Sequence, residues 1–312
     1  MLESIKKLNN KLREFDNLVI GYSGGADSQF LLHIASKLDK NIIAANMKYN
    51  FSPNADNWQN FCRENAKSLG VRFETKHFAA PKTGNAENIA RNARFNFFSE
   101  IISCLNGKTA LLTAHHKDDL VETMLLKLAR GSGIEALASI KERSERQGMT
   151  IIRPLLDITK AEIVEKLNNN NIPFVHDESN DDCTMDRNYI RNIILPQLNG
   201  RWPGFTNNAY KSSQLLYEDT EYIDQKISDL YHKALTNNGE LNVRLLPQND
   251  YELRKILRRW ILDGAGVVPA GKLLGAIISQ SIINPAHNAG KFIKKDFVIY
   301  KKNHLLTIEK AS

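Results

Sequence analysis

Residues 17–33, NLVIGYSGGADSQFLLH, constrain this chain more than any other stretch. They open on the apolar, β-branched run Leu18-Val19-Ile20, the mark of a buried strand. Ser23-Gly24-Gly25-Ala26-Asp27-Ser28 follows, and then helical spacing with Phe30, Leu31, Leu32 and Ile34 on an apolar face. Strand, glycine turn and helix together build a phosphate site: the glycines let the backbone approach an anion, and the helix N-terminus aims free N–H groups and its positive dipole end at it. Ser23 and Ser28 add hydroxyl donors. Asp27 would repel a bare phosphate, so it belongs beside a metal ion or a positive partner.

Two other phosphate loops are excluded. A Walker A loop needs Gly-Lys-Ser/Thr and there is no lysine here; a dinucleotide fingerprint needs G-x-G-x-x-G and there are only two adjacent glycines. The stretch resembles the S-G-G-x-D-S pyrophosphate loop of the ATP-pyrophosphatase (PP-loop) superfamily. That resemblance implies ATP held by Ser23, Gly24, Gly25, Ala26, Asp27 and Ser28 and cut between its α and β phosphates, leaving an adenylated substrate.

The 312 residues have room for one large or two ordinary domains. A composition 42% hydrophobic and 25% charged is that of a soluble globular protein. No run is apolar for long enough to span a membrane, and the N-terminus lacks the apolar core of a signal peptide. Cys62, Cys104 and Cys183 are far apart with no C-x-x-C, so neither a zinc site nor a disulfide framework is expected, and the setting reads as a reduced cytoplasm. The formal charge is +7: residues 1–200 carry 26 Lys+Arg against 24 Asp+Glu, and residues 201–312 carry 16 against 11. A basic surplus of this kind hints at a polyanionic partner.

Over the first two-thirds, strand and helix patterns alternate. Strands are predicted at 17–22, 41–47, 71–78, 109–113 and 151–154, with helices at 2–15, 26–38, 55–69, 85–103, 117–130 and 160–168. This alternation predicts an α/β fold, a doubly wound parallel sheet with its ligand at the strands' C-terminal edge. A catalytic domain over 1–200 and a mainly helical region over 201–312 are expected.

That edge carries a second cluster, Thr113-Ala114-His115-His116-Lys117-Asp118-Asp119-Leu120-Val121-Glu122. Asp119 and Glu122 share a helix face at i, i+3. Carboxylates beside an incoming ATP suit Mg²⁺, a hard cation that already partners phosphates. Between loop and cluster, Glu87, Arg91 and Arg94 lie one turn apart; an arginine clamp for phosphate and an ordinary exposed Glu–Arg pair both fit that spacing.

The order SGGADS, GNAENIARNARF, TAHHKDDLVETMLLKLARGSGIEAL, RPLLDITKAEI and DESNDDCTMDRNYIRNIILPQL resembles the tRNA(Ile)-lysidine synthetase family over most of residues 15–198. The resemblance implies a ligase that uses ATP, Mg²⁺ and free L-lysine to convert the wobble cytidine of a tRNA(Ile) with a CAU anticodon into lysidine. It makes Asp27 and Asp119 candidate metal ligands, and Asp27, Asp119, Glu122, His115, Arg91 and Arg94 candidate catalytic groups. Arg130, Arg187 and Arg191 fall where that family's substrate-facing segments lie. After the second strand the family usually carries H-V-x-H-G-L-R, whereas this chain has Asn46-Met47-Lys48-Tyr49-Asn50-Phe51, so no role of those histidines transfers.

From Arg201 onward a long helix over 205–236, a basic helix over 252–262 and a hairpin over 290–308 are predicted. Arg254, Arg258 and Arg259 have the spacing to track an RNA backbone. Another PP-loop tRNA-modifying enzyme, such as a thiolase, is the second reading; thiolases typically use paired cysteines, which this chain lacks.

Overall fold

A computed structural model describes residues 1–49, 54–79, 86–138, 140–176, 178–283 and 291–310. The chain divides into two compact units, Met1–Tyr217 and Glu218–Ser312.

The first unit opens with α1 (Leu2–Lys11), β1 (Asn17–Gly21), α2 (Ala26–Ala35), β2 (Asn41–Tyr49), α3 (Ala55–Ser68), β3 (Arg72–Phe78), α4 (Ala86–Ser103), β4 (Thr109–Leu112) and α5 (Lys117–Ala129). It continues with α6 (Ile134–Leu137), β5 (Arg143–Arg146), β6 (Met149–Ile152), α7 (Lys160–Asn168) and α8 (Asp186–Tyr189), which passes through a π-helical turn, Ile190–Ile194, into α9 (Leu195–Arg201). The six strands lie in the order β3-β2-β1-β4-β6-β5. The five predicted strands are parallel, as expected; a sixth, the edge strand β5, was not predicted and pairs antiparallel with β6. Its sequence, Arg-Ser-Glu-Arg, has no apolar face, which is why the pattern hid it.

The central strands β1, β2 and β4 are apolar on both faces because both are covered. Leu18, Ile20, Ile42 and Ala44 point into a core with α1, α2, α3 and α7, while Val19, Ile43, Ala45 and Leu111 point into a second core with Phe95, Phe97 and Phe98 of α4. The order runs outward from β1 to β2 and β3 on one side and to β4 on the other, so the chain reverses between β1 and β4. Loops leaving these two strands splay apart there and open a crevice. It is the end of β1 that carries the SGGADS loop.

Helix α10 (Phe205–Ala234) runs through the division at Tyr217/Glu218, so the units part within a helix and not ahead of it at Arg201. The second unit adds β7 (Leu241–Asn242), α11 (Asp250–Ala265), α12 (Gly271–Ile277), β8 (Phe292–Ile293), β9 (Phe297–Lys302) and β10 (Leu305–Lys310). The expected hairpin is β9–β10, turning at Asn303 with φ 56°. Its strands belong to a sheet ordered β7-β10-β9-β8 that packs with α11 around the fully buried Trp260. This region is therefore helices plus a small sheet. Among the described residues no helix is long and apolar enough to cross a membrane.

Candidate active site

The loop's conformation follows from its glycines. Gly24 has φ +83°, and a Cβ there would lie 2.7 Å from Cys62 Sγ, so only glycine fits. Gly25 is the N-cap of α2, and the Val175 N–H donates to the Gly24 carbonyl at 2.9 Å, pinning the loop from outside. The two serines differ. Ser28 is buried; its hydroxyl donates to the Gly25 carbonyl and accepts the Ser23 N–H, both at 3.1 Å. A hydroxyl has one proton and Ser28 gives its own to Gly25, so the Ser23 hydroxyl, 3.1 Å away, donates to Ser28 Oγ; Ser28 braces the loop from within, and Ser23 is exposed at its surface.

Two cavities flank this loop. The first, about 390 Å³, is lined by Gly21, Tyr22, Met47, Tyr49, Phe95 and Phe98, by His115 and Asp119, and by five arginines, Arg91, Arg94, Arg153, Arg187 and Arg191. The second, about 650 Å³, is lined by Gly25, Ala26, Trp58, His116, Asp118, Glu122, Lys160, Phe174 and Val175. Ser23, Asp27 and Arg191 line both.

The acidic cluster starts α5, as predicted, and arginines cover it. Arg187 Nε and Arg191 Nε lie 2.9 and 2.7 Å from the two oxygens of Glu122, and both Nη2 atoms lie 3.0 Å from Asp119 Oδ1. Asp119 Oδ2 accepts the His116 N–H at 3.0 Å. Glu122 is fully buried. Burial would raise the Asp119 carboxyl, but His116 and Arg187 outweigh it and hold it down at about 2. Burial pushes His115 down to about 4, so it is neutral near pH 7, with Nδ1 2.9 Å from the Thr113 hydroxyl. His116 also loses charge stabilisation on burial, yet Asp118, Asp119 and Asp27 more than restore it and raise it above the ordinary value.

The predicted residues Ser23, Asp27, Arg91, Arg94, His115, Asp119, Arg187 and Arg191 thus meet around one cavity. Arg130 lines neither; it lies exposed, 3.5 Å from Asp186. The side chain of Glu87, and Asn50 and Phe51, lie outside the described residues. Asn46, at the departure from the family pattern, is buried and donates to the Tyr22 carbonyl at 2.9 Å; Met47 and Tyr49 on the same strand face the cavity instead. In the second unit Arg254 pairs with Asp250 at 2.6 Å and Arg259 with Asp263 at 3.9 Å, whereas Arg258 is exposed with no ion pair among the described residues.

Two site residues escaped the sequence reading. Arg153 directly follows β6 at the C-terminal edge and donates to the Lys141 carbonyl at 2.7 Å; a cation ending an apolar strand was the available signal. Lys160 follows the N-cap Thr159 and lies 2.7 Å from Asp27 Oδ1; its capping box was legible, but its aim was not.

Residues 1–198 match the PP-loop domain family. The tRNA(Ile)-lysidine synthase of Actinobacillus pleuropneumoniae is 34% identical over 292 residues, covering 93% of this chain and 69% of that protein. This chain belongs to the tRNA(Ile)-lysidine synthase family. The Buchnera aphidicola protein of that name is 32% identical, with coverage of 99% and 71%. The Legionella pneumophila one is 30% identical, with coverage of 87% and 63%. The chain therefore spans about two thirds of the length of these family members. Among solved structures, a U34-tRNA thiolase from Methanococcus maripaludis with its iron–sulfur cluster has a similar fold, with TM-score 0.57 and 16% identity over 70% of this chain and 78% of that one.

Proposed function

We propose that this chain, like the family members it is similar to in sequence, forms lysidine: it activates the wobble cytidine of a tRNA(Ile) with a CAU anticodon using ATP and joins L-lysine to it. Two cavities sharing a wall of Ser23, Asp27 and Arg191 carry the proposal, because the reaction needs ATP at the cytidine O2 and an amine at the adjoining C2, arriving from different directions.

The first cavity suits the nucleoside and the α-phosphate. Tyr22, Met47, Phe95 and Phe98 offer apolar walls for a base, and Arg91, Arg94, Arg153, Arg187 and Arg191 concentrate positive charge where the adenylate forms. The 2-carbonyl oxygen of cytidine is a poor leaving group; transfer of AMP onto it makes it a good one. Fixed guanidinium groups oriented by Asp119 and Glu122 stabilise the charge that develops in that transfer without reorganising. Glu122 thus acts through the arginines, since both its oxygens are already held by Arg187 and Arg191.

The second cavity suits the amine. Trp58, Val164 and Phe174 form walls for an aliphatic chain, and Asp118 and Asp181 offer carboxylates to an ammonium. Mg²⁺ fits the donor set in a limited way. Among the described residues no three His, Cys, Asp or Glu gather as a metal cage, but Mg²⁺ commonly binds one or two carboxylates and completes its shell with phosphates and water. Asp27 is the anchor for it; Asp119 Oδ1 is taken by the two arginines. When bound, the ion would neutralise phosphate charge.

A thiolase reading is disfavoured by the cysteines. Burial raises Cys62 to about 12, keeping it a thiol beneath Gly24, while Cys104 lies exposed just beyond α4. The deciding experiment incubates the protein with labelled ATP, lysine and unmodified isoleucine tRNA. Lysine-dependent AMP release with the nucleoside mass of lysidine is expected; AMP release indifferent to lysine would reject the reading.

A further inference from the structure

Lys160 is absent from the loop signature, yet its Nζ lies 2.7 Å from Asp27 Oδ1 on the wall of the second cavity, beside Gly25 and Ala26. Its backbone is fixed. The Lys160 N–H donates to Asp118 Oδ2 at 2.8 Å, and Thr159 and Glu162 cap the turn reciprocally, Glu162 Oε2 accepting the Thr159 N–H at 2.8 Å. The head group is not fixed in the same way. Its side chain is 42% exposed and Asp27 29% exposed, and a pair that open to solvent holds its partners weakly. A lysine on a rigid stem can therefore exchange one oxygen acceptor for another at small cost, as a point charge with rotatable donors.

The cavities say which acceptor comes. Gly21, Tyr22, Arg91 and Arg94 line only the first, and Gly25, Ala26 and Lys160 only the second. The N-terminus of α2 and Lys160 thus lie across the shared wall of Ser23, Asp27 and Arg191 from the first cavity, where the terminal phosphates of a nucleotide with its nucleoside in that cavity would fall.

We propose that Lys160 is the cation that receives the leaving pyrophosphate, resting on Asp27 between turnovers; this rests on the ATP-dependent reading above. In the adenylation step the cytidine O2 supplies an electron pair to the α-phosphorus. The bond from that phosphorus to the bridging oxygen breaks, and its electrons leave on the pyrophosphate. Lys160 stays protonated and donates an N–H to a pyrophosphate oxygen, so no proton changes hands. The charge it meets is largest as the bond breaks, which makes its effect fall on the chemical step more than on ATP binding.

The test uses the full chain as wild type, Lys160→Met and Lys160→Arg. Titration with inorganic pyrophosphate in the presence of Mg²⁺ should show binding weakened about tenfold or more in Lys160→Met, the usual size for a lost hydrogen bond to a charged group. It should be largely restored in Lys160→Arg. The rate constant of AMP transfer should fall more than KM for ATP rises, while adenosine binding stays as in wild type. Equal weakening of adenosine and pyrophosphate in Lys160→Met, with a lowered melting temperature, would mean a merely structural lysine and overturn the proposal. So would a folded Lys160→Met protein that binds pyrophosphate like wild type. The titration needs neither tRNA nor lysine. Lost pyrophosphate binding without lysidine formation in wild type would therefore sink the ligase reading alone, and lysidine formation with unchanged pyrophosphate binding would sink this one alone.

Discussion

Arg191 grips the fully buried Glu122 with two nitrogens, Nε 2.7 Å from Oε1 and Nη2 2.9 Å from Oε2. A buried carboxylate held this way orients its arginine and depends on it. Glu122→Gln keeps the shape but leaves Arg187 and Arg191 facing one another with less countercharge. We expect a loss of about 2–3 kcal/mol in urea unfolding, below the usual cost of breaking a buried pair because both arginines are partly exposed. ATP affinity should fall in parallel, as the arginines lose their aim. An unchanged unfolding midpoint and an unchanged KM for ATP would show that the arginines are placed by other contacts.

Gly24 and Cys62 form a second coupled pair. Gly24→Ala meets two penalties: a positive φ, costing about 1–2 kcal/mol for a residue with a Cβ, and a contact of 2.7 Å with Cys62 Sγ. Cys62→Ala removes the contact but not the φ penalty. The double variant should therefore be more stable than the sum of the singles by about 1 kcal/mol or more, read from a thermodynamic cycle. Strict additivity would mean that the loop moves away from α3 when it must.

Stability should fall with acid in a window set by His115. Its folded value, about 4, lies below the ordinary 6.5. Between those values the unfolded chain binds a proton that the folded chain does not, so stability rises with pH there and is lost as pH falls toward 4. Because the ring is partly open to the cavity, about 2 kcal/mol is expected over the window. His116, raised rather than lowered, acts in the opposite sense and above pH 6.5. His115→Gln should flatten the curve of unfolding free energy between pH 4 and 6.5; the same slope in that variant would assign the effect elsewhere.

Among amines, lysine should be used in preference to shorter or neutral analogues. The second cavity offers an apolar wall at Trp58 and Phe174 with Asp118 and Asp181 for an ammonium, and truncating the chain loses about 0.8 kcal/mol per buried methylene. Competition assays with ornithine, alanine and ammonia read this directly. Equal incorporation of ammonia would point to a different amine transfer on this fold.

RNA grip by the second unit should show in the salt dependence of tRNA binding. The unit beginning at Glu218 carries 14 Lys+Arg against 11 Asp+Glu, a smaller surplus than residues 201–312 carry. Arg254 and Arg259 are partly spent on Asp250 and Asp263. Arg258→Ala should therefore lower the log–log salt slope by roughly 0.9, a full phosphate contact, and Arg254→Ala by less. Equal slopes for wild type and Arg258→Ala would leave α11 as a solvated face. A truncation for the same purpose belongs after Tyr217 and not at Arg201, because Phe205, Ala209 and Tyr210 pack on Leu120, Val121, Leu156 and Leu195 of the first unit.

Much of this was legible in the residues. Leu18-Val19-Ile20 and the glycines after it set a strand and a phosphate turn through backbone sterics alone, and the alternation of strand and helix patterns implied a doubly wound sheet with its site at one edge. Local chemistry of this kind is written in neighbouring residues, so it survives without knowledge of the rest of the chain. The edge strand β5 was not legible, because its four residues present no apolar face to read.

Which charges meet was settled by the folded geometry. Asp119 and Glu122 are read from sequence as open carboxylates, yet Arg187 and Arg191, 65 or more residues away, cover them. Lys160 finds Asp27 across 133 residues. The sequence determined the loop, the sheet and the family, because those depend on dihedral preferences and apolar periodicity within short windows. The pairing of the buried charges depended on the folded geometry, because an ionic contact is set by distance and burial, and neither is a property of any one stretch of chain.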